Sequence, residues 1–256
     1  MKLFSIVLGK GPAIIILHGL FGEGKNWLSI AKVLQSNFEV HLLDQRNHGQ
    51  SFHHTHHDYS VLAQDVHQYV KNKSISCFSL IGHSMGGKVA MSFACLYPDY
   101  INKLIIVDIS PKLYKDNYVK LFSGLKTVLI KSKSRKEATQ ILMDYVDDSI
   151  VVNFLLKGLY FDEQDSPKLK FNVDNLEMNI DKMLSFPVFQ NTFEDVVYFL
   201  SGSKSNYINP QDSRDISKLF SIYEIITIKD AGHWVHFDQK ENFLSTINEI
   251  LKPVNL

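Results

Sequence analysis

A serine hydroxyl is a useful nucleophile only when it is exposed, held and paired with a base. The run Gly82-His83-Ser84-Met85-Gly86-Gly87 carries residues suited to exposing and holding one. Glycines two before and two after Ser84 permit a sharp turn in which side chains would strike the folded-back chain. Such a turn projects Ser84 and aims the Met85 amide at a developing oxyanion. The pattern is too short to decide alone, but its setting is right. Cys77–Ile81 reads as a buried strand and Lys88 to Leu96 as a helix. A competing reading fails on one position. Gly82 and Gly19 each open a G-x-x-x-x-G-K run, ending in Lys88 and Lys25. A phosphate-binding loop needs Ser or Thr next, to hold magnesium. Val89 and Asn26 stand there instead, so nucleotide binding is not expected.

Acyl transfer needs two backbone donors on the oxyanion. The glycine turn His18-Gly19-Leu20-Phe21-Gly22, after an apolar run, offers the second: Leu20, with Phe21 as the fallback. The base is expected at His233, in Asp230-Ala231-Gly232-His233-Trp234, because imidazole titrates near working pH and the residue follows a strand on a glycine turn. His236, Phe21 and His83 are expected to contact substrate. His53, His54, His56 and His57 lie in a polar loop without a carboxylate or cysteine pattern, so exposed loop positions are expected and no metal site.

The elements that must position these groups follow from the apolar pattern. Short runs at Ala13–Leu17, Phe38–Leu43, Cys77–Ile81 and Lys103–Val107 read as buried strands. Helical stretches, Trp27–Leu34, Val61–Val70 and Gly87–Tyr97, separate them. That alternation predicts an α/β fold with a mostly parallel sheet covered on both faces. From Pro111 to Ser185 no strand is expected, only helices at Tyr118–Ile130, Arg135–Val146, Ser149–Tyr160 and Asp174–Leu184. Strands resume at Asp195–Leu200 and Ile222–Ile228, and Asn242–Leu251 reads as a last helix. The organisation expected is a core of residues 1–110 and 188–256 with a helical cap, residues 111–187, inserted over the sheet. Phe122, Phe154, Tyr160, Phe161 and Phe186 in and beside the cap suit an apolar acyl pocket.

Composition narrows the partners. The 256 residues carry 27 basic and 27 acidic side chains, so capture of nucleic acid by overall charge is excluded. Apolar runs near five residues, such as Ala13–Leu17, are far too short to span a membrane. Residues 1–11 show no cleavable signal, and a cytoplasmic protein is expected. Cys77 and Cys95 are too few for a disulfide framework or zinc site and read as small buried hydrophobes.

Taken together, the chain resembles the α/β-hydrolase family, and within it the YbfF-type esterases. The resemblance rests on His18–Gly22, Asp44-Gln45-Arg46-Asn47-His48-Gly49-Gln50-Ser51, Gly82–Gly87, Val107-Asp108-Ile109-Ser110-Pro111 and Gly232-His233-Trp234-Val235-His236, in that order. It implies a cofactor-free serine esterase or acyl thioesterase, acting on a small-molecule substrate under a helical cap, with Asp44–Ser51 as a structural loop. Many members place the triad acid three residues after a glycine closing the penultimate strand. Here that position is Ser205, in Gly202-Ser203-Lys204-Ser205, and a serine cannot hold an imidazolium by charge. Asp108, ending the strand beside that of Ser84, is the expected replacement; Asp174, Asp181 and Asp212 are the weaker alternatives. A C–C bond hydrolase with the same triad is the enzymatic alternative. A ligand-binding member without turnover is the non-enzymatic one.

Overall fold

A computed structural model describes residues 1–252. Among the described residues, nine strands run β1 (Ser5–Leu8), β2 (Ala13–Leu17), β3 (Glu39–Leu43), β4 (Phe78–His83), β5 (Ile101–Val107), β6 (Leu159–Phe161), β7 (Pro167–Leu169), β8 (Val197–Gly202) and β9 (Tyr223–Ile228). Seven form one sheet in the order β1-β3-β2-β4-β5-β8-β9, parallel throughout except for β1 against β3. The helices are α1 (Leu28–Leu34), α2 (Tyr59–Asn72), α3 (Met85–Leu96), α4 (Val119–Lys131), α5 (Arg135–Met143) and α6 (Ser149–Leu156). They continue with α7 (Val173–Met178), α8 (Ile180–Leu184), α9 (Ser213–Ile216), α10 (Val235–Asp238) and α11 (Lys240–Leu251).

Each apolar strand feeds two cores at once, because successive side chains point to opposite faces. Ile15 and Leu17 of β2 pack with α2 and α3, whereas Ile14 and Ile16 pack with Trp27, α1 and α11. That is why β2 is apolar at every position rather than at alternate ones. A third cluster, centred on Phe122, Leu125, Leu142, Leu155 and Phe171, lies within residues 122–176, with Phe21 reaching into it from the sheet side. Among the described residues, no helix is long and apolar enough to cross a membrane.

The structure departs from the sequence expectations in several places. β1 is an extra edge strand, four residues long and paired only with β3. A small hairpin, β6 with β7, lies where no strand was expected, and the helix expected over Ser149–Tyr160 stops at Leu156. The hairpin turn is held by Asp162, whose carboxylate accepts from the Gln164 and Ser166 amides at 3.0 and 2.9 Å. Three paired residues per strand are too few to show a period. The helix expected over Asp174–Leu184 is broken into α7 and α8 at Asn179. Cys77 is exposed, not buried, because it precedes β4 rather than starting it.

Candidate active site

The site is assembled where β2, β4, β5 and β8 end. After β4 the chain reverses through Ser84 at φ 53°, ψ −120°, and enters α3 at once. This backbone conformation is costly for a residue bearing a side chain, and its neighbours make it possible. A methyl group on Gly82 would stand 2.2 Å from the Gly86 carbonyl oxygen, and one on Gly86 would stand 2.4 Å from that of Leu17. The Ser84 amide donates to the Val107 carbonyl at 3.1 Å, and the Gly87 amide to the Ser84 carbonyl at 2.8 Å. Ser84 therefore sits at the start of α3 with the Met85 amide at the first helical position. Helix-start amides lack intrahelical partners.

Asp108 and His233 meet from different strands. Asp108 follows β5, itself at φ 51°, and is fully buried. Its Oδ1 accepts from the Gly202 amide at 3.1 Å, and its Oδ2 accepts from His233 Nδ1 at 2.8 Å. The Ser205 hydroxyl donates to that same Oδ2. The residue at the common acid position thus supports the carboxylate instead of supplying one. Tyr207 lies flat on the His233 ring, centroids 3.7 Å apart and 18° from parallel, with its amide on Ser205 Oγ at 3.2 Å. Burial raises the Tyr207 phenol to about 12, so it stays neutral. The other candidate acids lie elsewhere. Asp212 pairs with Lys112 at 2.6 Å, Asp174 is exposed beside Lys126, and Asp181 lies in the first turn of α8.

Ser84 and His233 both face a cavity of about 150 Å³, walled by Gly19, Leu20, Phe21, His83, Tyr118, Leu121, Val151, Phe154, Leu155, Tyr207 and Trp234. Of the aromatic residues expected to make an acyl pocket, only Phe154 is in this wall. Phe122 is in the third cluster with Phe161 packed against it, Tyr160 is exposed, and Phe186 packs on Tyr59. The loop after β2 closes in a turn, Gly22 amide to Gly19 carbonyl at 3.0 Å, with Phe21 at φ 64°. The Phe21 amide donates to His48 Nε2 at 3.1 Å and is therefore already engaged.

Three histidines act as clips on the backbone. His48 receives the Phe21 amide and donates from Nδ1 to the Arg46 carbonyl at 2.9 Å. His18 donates from Nδ1 to the Gly19 carbonyl at 2.8 Å and accepts the Gln45 amide on Nε2 at 3.1 Å. His83 donates from Nε2 to the His233 carbonyl at 2.9 Å. Burial holds all three well or somewhat below the usual imidazole range, as neutral clips require. His83 is thus in the cavity wall with one ring nitrogen committed to the backbone. The structure does not bring His236 to this cavity: it stacks on Trp27 at 3.8 Å and 12°, with burial lowering its pKa to about 3. In the Asp44–Ser51 loop, Asp44 accepts the Gly24 and Gln50 amides at 2.7 and 2.8 Å. Of the loop histidines, His57 is fully buried rather than exposed, its Nδ1 accepting from Asn47 Nδ2 at 3.1 Å.

Lys88, one turn after Ser84, was not singled out for any role of its own. It is buried, and its ammonium donates to the carbonyls of Lys112, Leu184 and Ser185 at 2.9, 2.9 and 2.8 Å. Those carbonyls flank the two ends of the 111–187 segment. Burial, and then the Lys112 charge, push its pKa down to about 7. The sequence signal available was a lysine on the apolar face of α3.

Fold and site together define a class: the chain belongs to the α/β-hydrolase fold family, whose model matches residues 12–240. Among curated relatives, it is 36% identical to the sn-1-specific diacylglycerol lipase ABHD11 of Danio rerio, over 98% of this chain and 82% of the relative. It is 29% identical to esterase YbfF of Escherichia coli, over 93% and 92%. A solved structure described as a marine microorganism esterase superposes with a TM-score of 0.93 at 37% identity, covering 98% of this chain and 99% of that one. These likenesses support a hydrolase of the esterase and lipase branch.

Proposed function

We propose that the protein hydrolyses carboxylic esters or acyl thioesters through an acyl-enzyme on Ser84. One observation carries the reading: Asp108 Oδ2 holds His233 Nδ1 at 2.8 Å while His233 and Ser84 face the same cavity. With Nδ1 so engaged, Nε2 is free to take the Ser84 proton as Oγ attacks the acyl carbon. The Leu20 and Met85 amides receive the oxyanion; one such donor is worth about 3 to 4 kcal/mol in comparable enzymes. His233 then gives its proton to the departing alkoxide or thiolate. Water, activated by the same imidazole, cleaves the acyl-enzyme. Leu20, Phe21, Leu121, Val151 and Phe154 favour an aliphatic acyl group in the cavity. Residues 111–187 serve as a cap that closes this cavity and excludes water from it.

The test is a fluorophosphonate probe together with p-nitrophenyl esters of increasing chain length. The wild type should turn over the esters and be labelled at Ser84, and Ser84→Ala should lose both properties. Full activity in Ser84→Ala would overturn the mechanism.

A further inference from the structure

A cavity much larger than the one holding Ser84 lies beside it. A groove of about 830 Å³ runs between α1, α6 and α10, and it shares Phe154 and Trp234 with the Ser84 cavity as a common wall. Lys25, Lys32, Lys157 and Lys240 line it, and no Asp or Glu does. None of these four lysines forms an ion pair with a carboxylate among the described residues, whereas Lys112, Lys126, Lys170, Lys204 and Lys218 each do. Between the lysines the surface is mainly apolar, with Leu28, Val33, Ile150 and Phe237 beside the neutral Asn26, Ser29 and Asn153, and the Lys157 ammonium lies 5.0 Å from the Phe237 ring centroid. His236 also lines the groove, and its buried Nδ1 has no hydrogen-bond partner.

On a chain of zero net charge, four unpaired cations gathered in one apolar groove are a local excess. They favour a ligand that is anionic at one end and greasy at the other. We propose that this groove binds the phosphate-bearing part of an acyl amphiphile whose acyl carbonyl reaches Ser84 past Phe154 and Trp234. The inference rests on the hydrolase reading for its acyl half, but the groove's preference for phosphate stands on the lysines. The phosphate can belong to a lysophospholipid head or to a coenzyme A tail; the shared chemistry is a phosphate joined to an acyl chain.

Both tryptophans of the chain report on the groove, since Trp234 lines it and Trp27 stacks on His236. Intrinsic fluorescence of Ser84→Ala should therefore respond saturably to dodecyl phosphate, and far less to the neutral dodecyl maltoside. In the Lys157→Gln/Lys240→Gln background the dodecyl phosphate affinity should fall about tenfold, and about 0.5 M salt should weaken the parent similarly. With active protein, lauroyl-CoA or lauroyl lysophosphatidate should be preferred over neutral monolauroylglycerol. The double variant should lower that preference ratio about tenfold, and the better of the two phosphate substrates identifies the source. Equal affinity for the neutral and anionic detergents, or a ratio unmoved by the lysine replacements, would overturn the proposal. So would binding to anionic vesicles without binding of monomeric dodecyl phosphate. Ester turnover without dodecyl phosphate binding would sink the groove and leave the hydrolase reading. Dodecyl phosphate binding without any ester turnover would do the reverse.

Discussion

Replacing Asp108 by Asn should remove the chemistry while leaving the shape. The wild-type carboxylate accepts three hydrogen bonds: the Gly202 amide on Oδ1, and the Ser205 hydroxyl and His233 Nδ1 on Oδ2. A backbone amide can only donate, so the new side-chain oxygen must keep the Oδ1 place and the new amino group must take that of Oδ2. There it can donate to Ser205 Oγ, but it also points a hydrogen at His233. The imidazole responds by placing its proton on Nε2, the nitrogen that has to be empty to accept from Ser84. In serine proteases this combined loss of tautomer and counter-charge lowers kcat about 10⁴-fold, equivalent to about 5.4 kcal/mol. Asp108 is fully buried, so little solvent dilutes its effect, and Asp108→Asn should fall about 10³- to 10⁴-fold in kcat. The assay is p-nitrophenyl butyrate turnover, with a thermal melt alongside to show that the fold survives. A well-folded variant losing less than about tenfold would refute the reasoning. Adding Ser205→Asp to it should restore part of the rate, because the Ser205 side chain already reaches the atom that His233 uses.

Three further outcomes follow from the same contacts. Gly82→Ala drives a methyl group into the Gly86 carbonyl, so it should cost about 3 kcal/mol and lower Tm by roughly 6–12 °C; an unchanged melt would show that the turn can relax. His57 has its pKa pushed down to about 3, chiefly by burial, so the unfolded chain binds the extra proton between about pH 6.5 and 3 and stability falls on acidification. His57→Asn should flatten the loss of stability between pH 6.5 and 5 by up to about 1.4 kcal/mol per pH unit, and an identical slope in denaturant titrations at those pH values would count against it. Lys88→Met strands three carbonyls and should cost about 3 kcal/mol or more. Limited proteolysis should then cut faster near residues 112–118 and 184–190, and an unaltered cleavage pattern would refute that role for the lysine.

What could be read in the sequence was whatever local chemistry dictates. A sharp strand-to-helix turn demands glycines flanking Ser84, and a parallel strand buried on both faces demands an unbroken apolar run like Ile14–Leu17. Asp108 was reachable only through topology, since it depends on which strand lies beside β4. Its partnership with Ser205, 97 positions away, has no local sign. The stacking of Tyr207 on His233 has none either, because one tyrosine among eleven looks like any other until the chain is folded. His57 and Cys77 depart from their expected burial for a related reason. Burial of a single residue is decided by what packs on it from elsewhere, here the Asn47 side chain over His57. β1, β6 and β7 are three or four residues long, so their existence is set by partners rather than by their own pattern.

The buried ammonium of Lys88 has a mechanical consequence. It gathers the entry leg of the 111–187 segment, at Lys112, and the exit leg, at Leu184 and Ser185, onto one point of the helix that begins at Ser84. Other ties hold the middle of the segment: the Gly49 amide donates to the Lys170 carbonyl at 2.6 Å, the Asn172 amide to the Asn47 carbonyl at 2.8 Å, and Lys170 pairs with Glu23 at 2.8 Å. The stretch where Ile150, Phe154 and Lys157 face α10 across the lysine-lined groove makes no hydrogen bond to the core among the described residues. On the side of Phe154 and Trp234 the cavity is closed by side-chain packing, so a bulky substrate is expected to displace that wall before the hydrogen-bonded ones.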